Sequence, residues 1–242
     1  MNRAIVQSPC GVTLVGGGPA SPALLREALA LAPRLVAADG GAGRALAANL
    51  TPEAVIGDFD SLRAADRARL DPATLHPIAE QETTDFDKAL RSVAAPFTLA
   101  VGFSGARLDH ALAVMNTLCR HPDRRCLVLS AQDVTFLAPP RLTLRLRPGT
   151  RLSLFPMAEV SGTAEGLRWP LDGLRFAPAG RIGTSNEVVA PEVRLAFATP
   201  GMLVILPRRS LPAALAALVP ASAPAHDPAP HRAPAPTGAR GR

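Results

Sequence analysis

The chain has 242 residues, of which 48% are hydrophobic, so it can bury a substantial core and is not a wholly disordered protein. No apolar run reaches the roughly 18 residues of a membrane span, and the N-terminus carries no secretory pattern. We therefore expect a cytoplasmic protein with no membrane partner. The net charge of +6 comes from scattered arginines without a basic block, and Tyr is absent, which argues against nucleic acid as a partner.

The cysteines exclude two further classes of protein. Cys10, Cys119 and Cys126 are odd in number and form no Cys-x-x-Cys pair. This pattern argues against a disulfide framework and against a zinc site, and it fits a reducing compartment.

In residues 1–138, short apolar runs alternate with helical patterns, which predicts an α/β domain built on a parallel sheet. The predicted strands are Val12–Val15, Arg34–Ala38, Ala54–Ile56, Phe97–Val101, Cys126–Leu129 and Asp133–Leu137. Two predicted helices each have one apolar face at helical spacing. These faces are Phe86, Ala89, Leu90, Val93 and Ala94 in the first, and Leu108, Leu112, Met115 and Cys119 in the second.

After Pro139-Pro140 the apolar residues alternate with polar ones between Gly and Pro, as Leu142, Leu144 and Leu146 do. This period of two predicts a small all-β sandwich domain over residues 141–207. The remainder, 211–242, is predicted to hold one short helix over 211–219 and then a disordered tail rich in Ala and Pro.

Four segments of the first domain carry acidic residues where strands end or helices begin. They are Ala38-Asp39-Gly40-Gly41, Gly57-Asp58-Phe59-Asp60-Ser61, Gln81 with Thr84-Asp85-Phe86-Asp87-Lys88, and Gly105-Ala106-Arg107-Leu108-Asp109-His110. Ligands of open parallel sheets bind beyond the carboxyl ends of the strands. We therefore expect the four segments to converge on one rim.

Carboxylates gathered in one crevice repel each other unless cations neutralise them, and Mg²⁺ bridging carboxylates and substrate phosphates suits this pattern. The chain has 25 arginines but only one lysine, Lys88. This bias indicates that position 88 needs a compact ammonium group, which can contact a single phosphate as a point charge. Arg107 is a second candidate phosphate clamp. Each segment alone has a bland interpretation: Asp85 can be a helix-start acid, and Gly16-Gly17-Gly18 can be a turn or a phosphate loop.

Taken together and in order, the four segments closely resemble the thiamine pyrophosphokinase family. The second domain carries two further segments that resemble this family, Gly166-Leu167-Arg168-Trp169-Pro170-Leu171 and Thr184-Ser185-Asn186-Glu187. The resemblance spans residues 12–206. One departure is Ala106, where the family usually carries a second glycine, so the backbone is less free there.

The resemblance implies a thiamine diphosphokinase that transfers the diphosphate of ATP to the hydroxyl of thiamine, with Mg²⁺ as cofactor. It implies a homodimer in which the β-domain of one subunit completes the thiamine site of the other. The catalytic residues are then Asp58, Asp60, Asp85 and Lys88, with Asp58, Asp60 and Asp85 as the metal ligands. The nucleotide-binding residues are Asp39, Gly40, Gln81, Thr84, Arg107 and Asp109, and the thiamine-binding residues are Trp169, Ser185 and Asn186. The general base is left open among the aspartates, with Asp58 the first choice.

Three alternatives remain at this stage. A diphosphokinase acting on a pterin-type alcohol would use the same nucleotide site, and only the β-domain segments argue against it. A nucleotide-sugar transferase holding its metal through Asp58 and Asp60 leaves Thr84–Lys88 and Arg107–Asp109 without a role. A nucleotide sensor without enzymatic activity would differ in showing no turnover of ATP to AMP.

Overall fold

A long mixed sheet runs through both halves of the chain in the computed structural model, which describes residues 4–219. The strands of the first half are β1 (Val6–Gln7), β2 (Val12–Val15), β3 (Arg34–Ala38), β4 (Ala54–Gly57), β5 (Leu75–Pro77), β6 (Val93–Ala94), β7 (Thr98–Val101), β8 (Cys126–Leu129) and β9 (Asp133–Leu137). The helices are α1 (Pro22–Leu31), α2 (Gly41–Ala47), α3 (Ala64–Arg67), α4 (Asp85–Arg91), α5 (Leu108–Arg120) and α6 (Leu211–Leu218). The strands of the second half are β10 (Arg141–Arg145), β11 (Arg151–Pro156), β12 (Val160–Glu165), β13 (Arg175–Phe176), β14 (Gly183–Glu187), β15 (Glu192–Phe197) and β16 (Met202–Pro207).

The parallel part of the sheet lies in the first half. Strands β3, β4 and β5 pair in parallel on one side, β2, β7 and β8 pair in parallel beside them, and β9 joins β8 in the antiparallel direction. β2, β4, β7 and β8 are buried at every position, because helices cover both faces of a parallel sheet. This burial explains why these strands are continuous apolar runs in the sequence.

The second half continues the same sheet and adds a second one. β16 pairs with β9, β11 pairs with β16, and β14 pairs with β11, all antiparallel. A four-stranded antiparallel sheet in the order β10-β15-β12-β13 completes the β-domain. In β10 the side chains alternate between exposed and buried, as expected for a strand with one face on a core. The predicted fold class, an α/β domain followed by a β-sandwich, is confirmed.

The six predicted strands are all present, with ends that differ by at most one residue. The predicted helical face from Phe86 to Ala94 is wrong at its end. α4 stops at Arg91, and Val93–Ala94 form β6, which pairs in parallel with β1. The amide of Val6 bonds to the carbonyl of Ser92, so these backbone groups serve a strand pair that the helical period could not reveal.

The second predicted helix is present as α5, but two of the four residues of its predicted apolar face are exposed and the other two, Met115 and Cys119, are only partly buried. Leu108 is 73% exposed and Leu112 is 59% exposed, whereas Val114, Thr117 and Leu118 face the core. The first turn of α5 therefore presents leucines to solvent.

The short helix predicted after Pro207 is present as α6, and the predicted tail from residue 220 lies outside the described residues. The predicted domain limits stay a prediction, because the sheet runs without interruption from β9 into β16. Within residues 4–219, no helix has both the length and the apolar character needed to cross a bilayer.

Candidate active site

A cleft of about 410 Å³ opens at the carboxyl ends of β2, β3 and β7. Its walls come from the turns after these strands and from the first turns of α4 and α5, which supply Asp39, Asp85, Phe103, Arg107 and His110. The sequence prediction that separate segments converge on one rim of the sheet is therefore matched by the geometry.

Three carboxylates meet at one end of this cleft. Asp39, Asp58 and Asp60 each offer an oxygen, and these oxygens lie within 4.8 Å of one another. Asp39 is only 2% exposed; its Oδ2 accepts a hydrogen bond of 3.1 Å from the Ser61 amide, and its Oδ1 is buried without a protein partner. A buried carboxylate oxygen without a donor is costly. The cluster is thus suited to a cation.

The backbone around the cluster is held in unusual conformations. Asp39 has φ +42° and Phe59 has φ +67°, both in the left-handed region that non-glycine residues rarely adopt. At residue 57 a Cβ would come within 2.8 Å of the Asp39 Cβ, so only glycine lets the two strand ends approach this closely. Such strain is typical of functional sites.

The only lysine of the chain lies under the cluster. Lys88 is 1% exposed, and its Nζ donates to Asp58 Oδ2 at 2.7 Å and lies 3.5 Å from Asp85 Oδ1. Gln81 Nε2 also donates to Asp58 Oδ2, at 3.2 Å. Asp58 is therefore fixed by two donors, and Lys88 joins it to Asp85.

The pKa values separate these acids into two kinds. Burial, followed by the charge of Asp85, raises the pKa of Asp39 to about 6, and burial with the charge of Asp58 also raises the pKa of Asp85. The hydrogen bond from Lys88 lowers the pKa of Asp58. Burial alone would lower the pKa of Lys88, but its bond to Asp58 and the charge of Asp85 outweigh burial and raise it. Asp58 and Lys88 form a charged pair at neutral pH, whereas Asp39 and Asp85 hold protons more tightly than ordinary carboxyls.

The raised pKa of Asp39 gives a testable pH dependence. The native state binds this proton more tightly than the unfolded chain, so the contribution of Asp39 is complete below about pH 4 and is lost as pH rises through about 6. The unfolding free energy of the unmodified protein should fall by about 2–3 kcal/mol between about pH 4 and pH 7 because of Asp39, and Asp39→Asn should abolish this fall. Urea unfolding of metal-free protein at pH 4.5 and pH 7 measures this. Added Mg²⁺ should also offset the loss, because metals bind the deprotonated carboxylate. Equal pH slopes for both proteins would contradict the assignment.

The predicted nucleotide residues fall into two groups. Asp39, Gly40, Thr84 and Arg107 line the cleft, whereas Gln81 and Asp109 do not. Arg107 Nη2 pairs with Asp109 Oδ2 at 2.6 Å on the exposed first turn of α5, and this bond lowers the pKa of Asp109 to about 2. Thr84 caps α4, because its hydroxyl accepts from the Asp87 amide at 3.4 Å. Thr84 and Asp109 therefore have local partners already.

The glycine run after β2 is a turn. The amides of Gly16 and Gly18 donate to the carbonyls of Val101 and Gly102, both at 2.8 Å, so they are not available to a phosphate. Arg44 Nε donates to the Gly17 carbonyl at 3.2 Å and braces this turn from α2. These bonds fit the turn interpretation for Gly16 and Gly18, and Gly17 and Gly18 also line the cleft.

A second cavity, of about 270 Å³, lies in the β-domain, and the three predicted thiamine residues line it. Trp169 is 53% exposed at its rim, and Ser185 has φ +62°. Asn186 is 5% exposed; its Oδ1 accepts from the Trp169 amide at 3.2 Å and its Nδ2 donates to the Trp169 carbonyl at 2.7 Å. Asn186 thus holds the backbone of Trp169, a role that the sequence analysis did not foresee.

The two cavities share no residue and are far apart within one chain. β3, which leads to Asp39, and β14, which carries Ser185, are separated by seven strand positions of the sheet. At about 4.8 Å per position this is roughly 34 Å along the sheet.

The fold joins an α/β half that holds an acidic cleft to a β-sandwich half. Two family sequence models match the chain: "Thiamin pyrophosphokinase, catalytic domain" over residues 25–129 and "Thiamin pyrophosphokinase, vitamin B1 binding domain" over residues 141–201. Together they cover more than half of the chain. The chain belongs to the thiamin pyrophosphokinase family, as the sequence resemblance indicated.

Individual relatives agree with this assignment. Thiamine pyrophosphokinase 1 of Oryza sativa subsp. japonica is 29% identical over an alignment of 163 residues, and the match covers 60% of this chain and 62% of that protein. Thiamine pyrophosphokinase of Bacillus subtilis is 26% identical over an alignment of 183 residues, and the match covers 71% of this chain and 85% of that protein. The crystal structure of thiamin pyrophosphokinase from Geobacillus thermodenitrificans superposes with a TM-score of 0.63 at 26% identity, covering 81% of this chain and 96% of that one. Neither the pterin enzyme nor the nucleotide-sugar transferase finds support among these relatives.

Proposed function

We propose that the protein transfers the diphosphate of ATP to the hydroxyl of thiamine and releases AMP and thiamine diphosphate. The observation that carries the proposal is the carboxylate cluster beside a buried lysine, in a chain whose two halves match the two domains of one family. Diphosphate transfer needs positioned phosphates and neutralised charge more than covalent catalysis. The cleft offers carboxylates for a cation and Arg107 for phosphate, and the buried Lys88 balances the charge of Asp58 beside it.

Mg²⁺ fits the residues present, because it prefers carboxylate oxygens and Asp39 Oδ1 is a buried oxygen without a donor. Asp58, Asp60 and Asp85 are the ligands predicted from the sequence. The geometry favours Asp39, Asp58 and Asp60, with Asp85 beside them and in contact with Lys88. The metal would supply charge neutralisation for the phosphates. Gln81 and Lys88 hold the Asp58 carboxylate in place for it.

The proton of the attacking hydroxyl needs an acceptor, and Asp85 suits this role better than Asp58. The pKa of Asp58 is lowered by its bond to Lys88, so Asp58 is a weak base. Asp85 lines the cleft, its side chain is 33% exposed, and its pKa is raised above the ordinary value. A general base is most effective when its pKa lies nearer the working pH. Asp85 is therefore our choice for the general base.

Two copies of the chain would together form one complete site. The nearest strands of the two cavities, β7 and β14, are five strand positions apart, roughly 24 Å along the sheet, so substrates bound in both cavities of one chain would not meet. Exposed apolar side chains accompany both cavities: Leu108 and Leu112 lie on α5, the helix whose His110 lines the cleft, and Trp169 and Ile182 line the β-domain cavity. Apolar side chains grouped around a site are typical of surfaces that become covered. We therefore infer a homodimer with shared sites, in which Trp169 can meet the thiamine cation with its ring face.

Lys88→Arg tests the point-contact role of the lysine. The larger guanidinium cannot fit where Lys88 is 1% exposed between Asp58 and Asp85, although it keeps the charge. We expect at least about a tenfold loss of kcat and, from overpacking, about 1–3 kcal/mol of lost stability. Steady-state rates and thermal unfolding measure the two effects. Full activity with arginine at this position would show that the ammonium has no special role.

The function itself is tested by measuring AMP release from ATP with different acceptors. We expect thiamine to support turnover, and thiamine monophosphate and a pterin alcohol to give no more than the rate without acceptor. A rate with the pterin alcohol above that with thiamine would favour the alternative diphosphokinase. No AMP with any acceptor, from folded protein with Mg²⁺, would contradict the proposed activity.

A further inference from the structure

A buried ion cluster lies behind the helix that carries Asp85 and Lys88. Asp87 is 1% exposed. Its Oδ1 lies 3.2 Å from both Arg91 Nη1 and His121 Nε2, and its Oδ2 lies 2.9 Å from Arg120 Nη1. No role is predicted for Asp87 from the sequence, although it lies within the segment Thr84-Asp85-Phe86-Asp87-Lys88.

The position of Asp87 in the helix places it opposite the catalytic cleft. Residues three apart share a side of a helix, so Asp85 and Lys88 face Asp58 together, whereas Asp87 points the other way. Its partners Arg120 and His121 are the last residue and the C-cap of α5. α4 is thus tied on one side to Asp58 and on the other side to the end of α5.

The cluster also reaches the loop before α4 through Arg91. Arg91 Nη2 pairs with Glu80 Oε1 at 2.8 Å, and its Nη1 donates to the Thr83 hydroxyl at 2.9 Å. Glu80 in turn accepts from the amides of Glu82 and Thr83, at 2.8 and 3.0 Å. This loop carries Gln81, the second donor to Asp58.

We propose that Asp87 is a positioning residue: through Arg91, Arg120 and His121 it fixes α4 and the preceding loop, and so sets where Lys88, Asp85 and Gln81 stand relative to Asp58. Apolar packing of the same volume often stabilises a fold as well as a buried carboxylate among cationic groups does. The cluster is therefore explained by the placement that it imposes. The inference rests on the proposed diphosphate transfer.

The test compares Asp87→Asn and Asp87→Glu with the unmodified protein. For Asp87→Asn we expect kcat to fall about tenfold or more, because small misplacements of catalytic groups cost this much. We expect binding of Mg²⁺ alone, measured by calorimetry, to weaken about fivefold, with the KM for thiamine within about twofold since the β-domain cavity shares no residue with the cluster. Asp87→Glu should recover part of both losses because it restores the charge.

Glu53→Gln is the matched control for a general loss of stability. Glu53 accepts a hydrogen bond of 2.6 Å from Arg34 Nε. Arg34 is the first residue of β3, and Glu53 directly precedes β4, so this pair lies at the opposite end of the strands from the cleft. Glu53→Gln should lower the unfolding temperature without changing kcat or Mg²⁺ binding. If Asp87→Asn fails to fold, Arg120→Gln removes one cation whose side chain is 54% exposed, and kcat should fall about threefold.

Unchanged kcat and Mg²⁺ binding in the folded Asp87 or Arg120 variant would overturn the proposal. So would a loss of kcat that Glu53→Gln reproduces at equal loss of unfolding temperature. Absence of thiamine-dependent AMP release in the unmodified protein would count against the proposed function instead. In that case, comparing Mg²⁺ binding between the Asp87 variants and the unmodified protein would still test whether Asp87 fixes the groups around Asp58.

Discussion

We expect Asp60→Asn to lower kcat about 100-fold or more while the fold persists. Asp60 supplies one of the three clustered carboxylates, and its loss leaves a bound cation and the transition-state charge poorly supported, an effect of about 3 kcal/mol or more. Asp60 is exposed, and its side chain accepts a hydrogen bond of 2.9 Å from the Ser61 hydroxyl. Asp58→Asn is a less clean test because it also weakens the charged pair with the buried Lys88.

The measurement is the initial rate of AMP release at saturating ATP and thiamine over a titration of Mg²⁺. Asp123→Asn is the matched control: its side chain is 74% exposed, and it lies just before β8, at the other end of the strands. It should behave as the unmodified protein. A kcat for Asp60→Asn close to normal at saturating Mg²⁺ would remove Asp60 from the metal site.

The second large effect is recovery of activity when two inactive variants are mixed. Asp60→Asn damages the cleft, and Trp169→Arg damages the β-domain cavity by replacing an exposed ring with a charge that repels the thiamine cation. If each site is built from two subunits, one of the two sites in a mixed dimer has both halves intact. Random exchange makes about half of the dimers mixed, so activity should return to about a quarter of normal.

The matched control mixes Asp60→Asn with Asp85→Asn. Both changes lie in the same half of the site, so no mixed dimer contains an intact cleft and no recovery is expected. Subunit exchange is followed independently, by native mass spectrometry of differently sized chains. Exchange without recovery in the first mixture would mean that each site belongs to one chain.

Much of the fold was predictable because burial leaves a direct mark on sequence. Strands covered on both faces are continuous apolar runs, and acids such as Asp39 and Asp58 follow them where the strands end. The pairing of β6 with β1 was not predictable, because strands of two residues are too short to show an alternation of apolar and polar residues in the sequence. The exposure of Leu108 was not predictable either, because a helical period shows that a face is apolar but not what covers it.

The site was predictable in its chemistry but not in its geometry. The segments predicted a carboxylate crevice with a lysine, and the described structure places these groups together. The inclusion of Asp39 in the cluster depends on the positive φ angles of Asp39 and Phe59, which no residue pattern announces. A buried Asp directly after a buried strand was the one available signal. The use of Asn186 as a backbone clamp was hidden in the same way, because it depends on a contact 17 residues away.

The pairing of β9 with β16 has a consequence for how the chain is synthesised. β9 ends at Leu137 and β16 begins at Met202. The edge of β9 that pairs with β16 therefore stays unpaired while the intervening residues emerge from the ribosome, although its other edge can already pair with β8. During this interval its edge presents unpaired backbone groups, which are a template for pairing with other chains. Contacts between segments so distant in sequence also form slowly. Nascent chains that stop before Met202 should therefore aggregate, and full-length chains should depend on rapid closure of this edge.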